Sequence, residues 1–131
     1  KALAESIGLN SRVKVITERI EITGQKPHFR GKFDLALARA VAKAPVIAEY
    51  LIPLLNPTGQ GIIFQGHWTS EDQKRLLEAL VLLKGGIQKV EAYQLPIGKG
   101  IRHQIRIKSS GLCPGKFPRA VGIPLKKPLG G

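Results

Sequence analysis

The chain has 131 residues, about the length of one ordinary domain, and 43% of them are hydrophobic, which is enough to form a packed core. No apolar run approaches the roughly 20 residues that a helix needs to cross a bilayer, so the sequence predicts no membrane-spanning segment. The net charge of +12 favours a polyanionic partner.

The amino terminus and the cysteine content bear on the compartment and the chemistry. Lys1–Asn10 mixes charged and short apolar residues, and the chain has no methionine, so we expect no secretory signal and an incomplete amino terminus. The single cysteine, Cys113, cannot form an internal disulfide, and no His and Cys residues show zinc-ligand spacing. The sequence therefore predicts a free thiol in a reducing cytoplasm and no metal site.

The first part of the chain predicts a helix end and two strands. Ala2–Leu9 has apolar residues at helical spacing and is predicted to end a helix at Gly8. Arg12–Thr17 alternates basic and apolar residues, which is the period of a strand. Glu18–Gly31 is polar and predicts a loop with at most one helical turn. Phe33–Leu37 is short and apolar and predicts the second strand.

Two helices and a third strand are predicted in the middle of the chain. Ala42–Leu55 carries apolar residues at helical spacing, and Gly61–Gln65 has the composition of a buried strand. The next helix is predicted to start at Ser70, which forms a capping box with Gln73, and to end at Gly85–Gly86. Its predicted apolar stripe consists of Leu76, Leu77, Leu80 and Leu83.

The end of the chain predicts a hairpin and an irregular segment. Ile87–Leu95 and Ile101–Lys108 are predicted strands joined by a turn, and a basic irregular tail follows over residues 109–131. Strands that alternate with helices imply an α/β fold with a mostly parallel sheet, and the closing hairpin implies an antiparallel edge. No linker divides the chain, so residues 1–131 are predicted to belong to one domain.

The positive charge is concentrated towards the carboxyl terminus, because Glu91 is the last acidic residue. A solvated surface normally mixes both signs of charge, so this stretch predicts a face that contacts phosphates. The alternative is a generally basic surface without a specific role. The predicted RNA-binding cations are Lys99, Arg102, Arg106, Lys108, Lys116, Arg119, Lys126 and Lys127.

Two predicted strand ends carry residues suited to a small ligand. Glu21 follows the first strand, and its carboxylate could accept hydrogen bonds from an amine or a sugar hydroxyl while Ile20 packs against a flat ring. Arg39 follows the second strand between small residues and could bind a carboxylate or phosphate, or form a structural ion pair. Trp68 could stack on a base or pack as an apolar residue. No catalytic residue is assigned, since the histidines lack neighbouring triad partners in sequence.

Three segments together resemble the ribosomal RNA small subunit methyltransferase G family, also called glucose-inhibited division protein B. They are IGLNSRVKVITERIE at Ile7–Glu21, FDLALARAVA at Phe33–Ala42, and KFPRAVGIPLKKPLG at Lys116–Gly130. Each match alone is weak, but the three follow the order of the family's motifs and span nearly the whole chain. The family's Ser-Arg-Ala motif reads Ala38-Arg39-Ala40 here, and its Lys-Gly pair reads Gln65-Gly66.

The resemblance implies a class I methyltransferase fold, Rossmann-like, with S-adenosylmethionine as methyl donor. It implies methyl transfer to N(7) of a guanine in small-subunit (16S) ribosomal RNA, in the cytoplasm, by a protein expected to be a monomer. By position, Ile20 and Glu21 match the pair beside the donor's adenosine, and Arg39 matches a further donor-binding arginine.

The resemblance also implies that the family's glycine-rich donor loop and its first strands precede Lys1. We therefore expect this chain to be the carboxyl-terminal part of one methyltransferase domain, and to bind the donor weakly or not at all by itself. A basic RNA-binding module without catalysis is the alternative function. A methyltransferase acting on a small molecule is disfavoured, since a neutral small substrate needs no extended cationic surface.

Overall fold

The structure is a computed structural model, and it describes residue 8, residues 11–39 and residues 42–130. The predicted helix at Ala2–Leu9 falls almost entirely outside these residues. None of the helices in the described part of the chain is long and apolar enough to span a membrane. The elements are α1 (Ile20–Thr23), β1 (Phe33–Arg39), α2 (Ala44–Leu51), a 3-10 turn (Ile52–Leu54), β2 (Leu55–Gln65), α3 (Ser70–Leu83), β3 (Gly85–Gln94), β4 (Ile101–Ser109) and α4 (Ile123–Lys126).

The four described strands form one mixed sheet in the order β1-β2-β4-β3. β1 and β2 are parallel and are joined through α2, whereas β4 is antiparallel to both β2 and β3. The predicted α/β class and the antiparallel closing hairpin are therefore confirmed. Parallel pairing is confined to β1 and β2 within the described residues, so the sheet is less parallel there than the sequence predicted.

The strand predicted at Arg12–Thr17 is wrong for this structure. Residues 13–17 have no regular secondary structure, and the side chains of Val13, Val15 and Ile16 are exposed. A strand requires a neighbour to pair with its backbone N–H and C=O groups. No described strand pairs with this segment, so the alternation of basic and apolar residues alone does not form a ladder.

The core lies between one face of the sheet and the helices α2 and α3. Ile63 of β2 and Ile105 and Ile107 of β4 point to this inner face and are fully buried. At Gly61, a Cβ atom would lie 2.9 Å from the Ile107 side chain, so only glycine allows β2 this close approach. The helices contribute the remaining large buried side chains, chiefly Ile47, Leu76, Leu80 and Leu83.

The opposite, outer face of the sheet is not covered by a described helix. Successive side chains alternate between the two faces of a strand. Ala36 and Ala38 pack against the core, so Leu35 and Leu37, which are exposed, lie on the outer face of β1 together with Arg39. By the same alternation, the outer face of β4 carries Arg102, Gln104, Arg106 and Lys108.

The predicted helix at Ala42–Leu55 is shorter than expected, and the strand after it is longer. The α-helix ends at Leu51, and Pro53 lies in the 3-10 turn, where its missing N–H removes no helical hydrogen bond. β2 then starts at Leu55 rather than at Gly61. A register shift in its pairing with β1 accommodates Pro57 and Gly59, which lie between the predicted helix and the predicted strand.

The cap of α3 is one residue earlier than predicted. Thr69 is the N-cap: its hydroxyl accepts a hydrogen bond from Asp72 N at 3.1 Å, and Asp72 Oδ2 accepts one from Thr69 N at 2.9 Å. Ser70 is the first helical residue instead. At the other end, Lys84 adopts a left-handed conformation and terminates the helix, so Gly85–Gly86 begin β3.

The apolar stripe of α3 also differs at one position. Leu76, Leu80 and Leu83 are buried as predicted, whereas Leu77 is exposed and Ala79 is buried. A small residue fits where the helix approaches the end of the chain, since a Cβ on Gly130 would already lie 3.0 Å from Ala79 N.

The capping geometry yields a prediction with a matched control. Thr69→Ala should lower the free energy of unfolding by about 1 kcal/mol, because it removes the side-chain acceptor for the first turn. Ser70→Ala should change the free energy by less than about 0.5 kcal/mol, as is usual for exposed positions. Urea denaturation of both variants measures the difference, and a larger effect at Ser70 would contradict the Thr69 cap.

Candidate functional site

Arg39 lies at the carboxyl end of β1, paired in register with Phe64 near the end of β2. Ligands of open α/β sheets bind outside this edge, where the parallel strands end. The side chain of Arg39 is exposed, and the ion pairs among the described residues do not include it. Within the described residues, the guanidinium is therefore exposed and forms no ion pair.

Glu21 is buried in α1, with 2% of its surface exposed. Its Oε2 atom accepts hydrogen bonds from Gly122 N at 2.9 Å and from Arg19 Nη2 at 3.0 Å. Its Oε1 atom is buried and has no hydrogen-bond partner among the described residues. An unpaired buried acceptor is costly, so Oε1 is suited to accept a hydrogen bond from a ligand amine or hydroxyl.

The ionisation of Glu21 reflects these contacts. Burial alone would raise the pKa of its carboxyl group, but the hydrogen bonds from Gly122 N and from Arg19 outweigh that effect and hold the pKa below its ordinary value. The same carboxylate lies near Tyr50, where burial and the negative charge of Glu21 raise the pKa of the phenol. Glu21 is therefore an anionic acceptor near neutral pH.

The structure does not bring Glu21 and Arg39 together. Glu21 contacts the tail at Gly122 and lies near Tyr50 of α2, whereas Arg39 lies on the outer face of β1. The cavity beside Glu21, about 640 Å³, is lined by residues of the α1 region and the tail, and Arg39 is not among them. Ile20, partly exposed, adjoins Glu21 in α1. The assignment of these three residues to a methyl donor stays a prediction.

A second acidic residue, which the sequence reasoning missed, is fully buried. Glu49 lies in the apolar helix α2 with 0% exposure. Its carboxylate accepts three hydrogen bonds from Arg119: from Nη2 at 2.8 Å, from Nε at 3.0 Å and from the backbone N–H at 2.8 Å. Arg119 also donates to the carbonyl of Lys127 at 2.6 Å. The sequence did carry a signal for this pair: Glu49 stands among apolar residues of a predicted helix, and a buried acidic group needs a charged partner.

The tail, residues 109–131, is packed onto the rest of the chain through its described part. Phe117 and Leu129 are buried in the common core, and Gln25 donates to the carbonyl of Pro118 at 2.8 Å. Arg30 donates its guanidinium hydrogens to four backbone carbonyls, those of Gly24, Cys113, Pro114 and Phe117. The tail is irregular, as predicted, apart from the single turn α4, but side chains fix its course.

The predicted RNA-binding cations lie in two separate regions. Lys99 is in the β3–β4 turn, and Arg102, Arg106 and Lys108 are on the outer face of β4. The other four belong to the tail, where the side chain of Arg119 is held by Glu49 and three cations are exposed, namely Lys116, Lys126 and Lys127. They belong to two different parts of the fold, and their role in RNA binding stays a prediction.

Trp68 lies beyond the carboxyl end of β2 and packs against the core. It lines a cavity of about 570 Å³ together with Lys43, His67, Arg75 and Leu129. Its indole N–H has no hydrogen-bond partner among the described residues. Apolar packing of Trp68 is therefore observed, and its stacking on a base stays a prediction. In the described residues no three His, Cys, Asp or Glu side chains come together as a possible metal site.

Comparison with known structures indicates the class of fold. A solved structure from Thermoplasma acidophilum, provisionally assigned as a methyltransferase, matches 84% of this chain and 54% of its own with a TM-score of 0.51. The sequence identity is 10%, so this likeness concerns the fold alone. The fold is that of class I methyltransferases, α/β and Rossmann-like, as the sequence predicted.

Comparison of sequences identifies the family. The profile of rRNA small subunit methyltransferase G matches residues 2–103, so the chain belongs to this family. Proteins named "Ribosomal RNA small subunit methyltransferase G" are 60% identical over 129 residues in one strain of Prochlorococcus marinus and 51% identical over 130 residues in Synechococcus sp. (strain CC9902). These alignments cover 98% and 99% of this chain but 51% and 54% of the relatives. The chain thus spans about half the length of these relatives.

The Glu49–Arg119 pair yields a stability prediction. Arg119→Ala should lower the free energy of unfolding by about 3–5 kcal/mol, because it leaves the buried Glu49 carboxylate without a counter-charge. Lys126→Ala, which removes an exposed tail cation, should change it by less than about 0.5 kcal/mol. The double variant Glu49→Leu with Arg119→Met should recover much of the loss, since no buried charge remains. Equal unfolding midpoints for Arg119→Ala and Lys126→Ala would contradict a structural role for the pair.

Glu21 yields a prediction about pH. Because its pKa is lower in the folded than in the unfolded state, the ionised carboxylate stabilises the fold above the unfolded-state pKa of about 4.3, and this stabilisation is lost as the pH falls through the folded-state pKa. The stability difference between wild type and Glu21→Gln should therefore be largest near neutral pH and should shrink in acid. Denaturant titrations of both proteins from acid to neutral pH measure this difference in the free energy of unfolding. A difference that does not change with pH would show that the charge of Glu21 contributes nothing to stability.

Proposed function

We propose that the full-length protein is an S-adenosylmethionine-dependent methyltransferase that acts on N(7) of a guanine in small-subunit ribosomal RNA. The observation that carries this proposal is the family match across residues 2–103. The names of the relatives and the methyltransferase-like fold agree with it. We further propose that the protein acts in the cytoplasm, as a monomer, on the small ribosomal subunit or its RNA.

The chemistry of the candidate residues suits the donor. Glu21 Oε1, buried and without a described partner, would accept a hydrogen bond from a hydroxyl or amine of the adenosine part. Arg39 would bind a carboxylate at the end of β1, and Ile20 would pack against the adenine. When bound, S-adenosylmethionine supplies an activated methyl group. We expect donor binding to need the other half of the relatives' length as well, because this chain spans about half of it.

The residues of this chain would act by positioning. The N(7) lone pair of guanine is already nucleophilic, so the transfer needs no general base, and correct placement of the two reactants contributes most of the rate. The cationic regions would hold the ribosomal RNA through its phosphates while the sheet edge holds the donor. This division of roles explains why a basic surface and few titratable catalytic candidates occur together.

A direct assay tests the proposal. Full-length protein is incubated with S-adenosylmethionine carrying a labelled methyl group and with small ribosomal subunits or their purified RNA. The label should enter the RNA as 7-methylguanosine, detected by nucleoside chromatography after digestion. Label in another nucleoside would refute the N(7) assignment, and RNA binding without any methyl transfer would favour the non-catalytic binding module.

Arg39 offers a specific variant for this assay. Arg39→Ala in the full-length protein should lower kcat/KM about 10-fold to 100-fold, the cost of losing hydrogen bonds to a charged ligand group, and should leave the unfolding midpoint nearly unchanged. Lys32→Ala, which removes an exposed cation beside the other end of β1, serves as the control and should keep full activity. A large drop in stability with Arg39→Ala would show a structural arginine instead.

A further inference from the structure

The outer face of β3 and β4 presents a compact group of cations around one aromatic ring. Lys89 and Tyr93 of β3 pair directly with Arg106 and Arg102 of β4, so the four side chains project from the same face. Lys108 continues the row along β4 on this face. We call this group, Lys89, Tyr93, Arg102, Arg106 and Lys108, the basic sheet face.

The charges of the basic sheet face are available to a ligand. Glu91 is the acidic residue among them, 3.5 Å from Arg106 Nη2 and 3.7 Å from Lys89 Nζ. Both contacts are long, and the side chains of Lys89 and Arg106 are 60% and 38% exposed, so these pairs hold the cations weakly. The face therefore has an excess of positive charge.

Tyr93 adds a stacking surface to these charges. Its side chain is 44% exposed beside Arg102. A basic strand face with an exposed aromatic ring is the combination that binds single-stranded nucleic acid, since bases stack on the ring and cations contact the phosphates. An acidic protein would satisfy the cations but would not need the ring.

The position of the face connects it to the candidate donor edge. Arg102 lies near the start of β4, which runs antiparallel to β2, so it is close to the carboxyl end of β2. Its Nη1 atom would lie 3.7 Å from a Cβ on Gly66, the residue that follows β2. Arg39 lies at the same edge of the sheet, paired with Phe64. A strand of RNA along β4 would therefore lead one of its nucleotides to the edge where the methyl donor is expected.

We propose that the basic sheet face binds a single-stranded segment of the substrate RNA, with a base stacked on Tyr93 and phosphates held by Arg102, Arg106, Lys108 and Lys89. This inference rests on the proposed function, since it names how that enzyme holds its RNA. It assigns Tyr93 and Lys89, which the charge pattern did not single out, and it leaves out Arg119, whose side chain is held by Glu49.

The test measures binding of a fluorescein-labelled single-stranded RNA to the full-length protein by anisotropy at several salt concentrations. Tyr93→Ala should weaken binding about 10-fold or more, while Tyr93→Phe should bind like wild type because it keeps the ring. Arg106→Gln with Lys108→Gln should reduce the slope of log affinity against log salt by about 1.4, or about 0.7 per lost phosphate contact. The exposed cations Lys32 and Lys74, changed together to Gln, provide the matched control and should leave the slope unchanged.

Three outcomes would overturn the inference. The first is wild-type RNA affinity for Tyr93→Ala, and the second is an unchanged salt slope for the variant of Arg106 and Lys108. The third is a loss of RNA affinity on changing Lys116 and Lys126 to Gln that equals the loss for the variant of Arg106 and Lys108, which would locate the RNA on the tail. Calorimetry with S-adenosylmethionine should give the same donor affinity for wild type and Tyr93→Ala. Because RNA affinity is read without methyl transfer, an inactive wild-type protein would refute the proposed function while leaving this test intact.

Discussion

The ion pair between Glu49 and Arg119 is the contact on which the arrangement of this molecule depends. A carboxylate with no solvent exposure is tolerated in the apolar helix α2 only because the guanidinium and the backbone N–H of Arg119 satisfy both of its oxygen atoms. The pair thereby anchors a tail that has little backbone hydrogen bonding of its own. A few residues further on, Gly122 donates its N–H to Glu21, so the docked tail also sets the orientation of the candidate ligand acceptor.

Because of this ion pair, the cations in the basic carboxyl-terminal part of the chain have different roles. Arg119 is held in the interior by Glu49 and the carbonyl of Lys127, whereas Arg102 and Arg106 project from an open sheet face. Net charge alone does not separate a structural cation from a phosphate ligand, because both contribute equally to the total. The hydrogen-bond partners of each cation and the register of the strands do separate the two roles. They support an RNA contact on β3 and β4, next to the edge where β1 and β2 end.

The sequence could predict those features that depend on local pattern. The parallel β1–α2–β2 unit, helix α3 and the closing hairpin follow from hydrophobic period and turn residues, and the family follows from short motifs. Features that depend on distant partners could not be predicted in the same way. Arg12–Thr17 has the period of a strand but finds no described strand to pair with, and the partner of Glu49 lies far along the chain in a segment without periodicity. The predicted N-cap of α3 was wrong by one residue, because the pairs Thr69–Asp72 and Ser70–Gln73 have the same spacing of cap-forming residues.

Amide hydrogen exchange at single-residue resolution tests most directly whether buried carboxylates fix the tail. The N–H groups of Arg119 and Gly122 donate to side-chain oxygens of Glu49 and Glu21, outside any helix or strand. Both amides should exchange about as slowly as those in the centre of β4, since they are released only when the tail undocks. Exchange as fast as in the exposed turn between β3 and β4 would contradict it and would show that the tail is not held by these contacts.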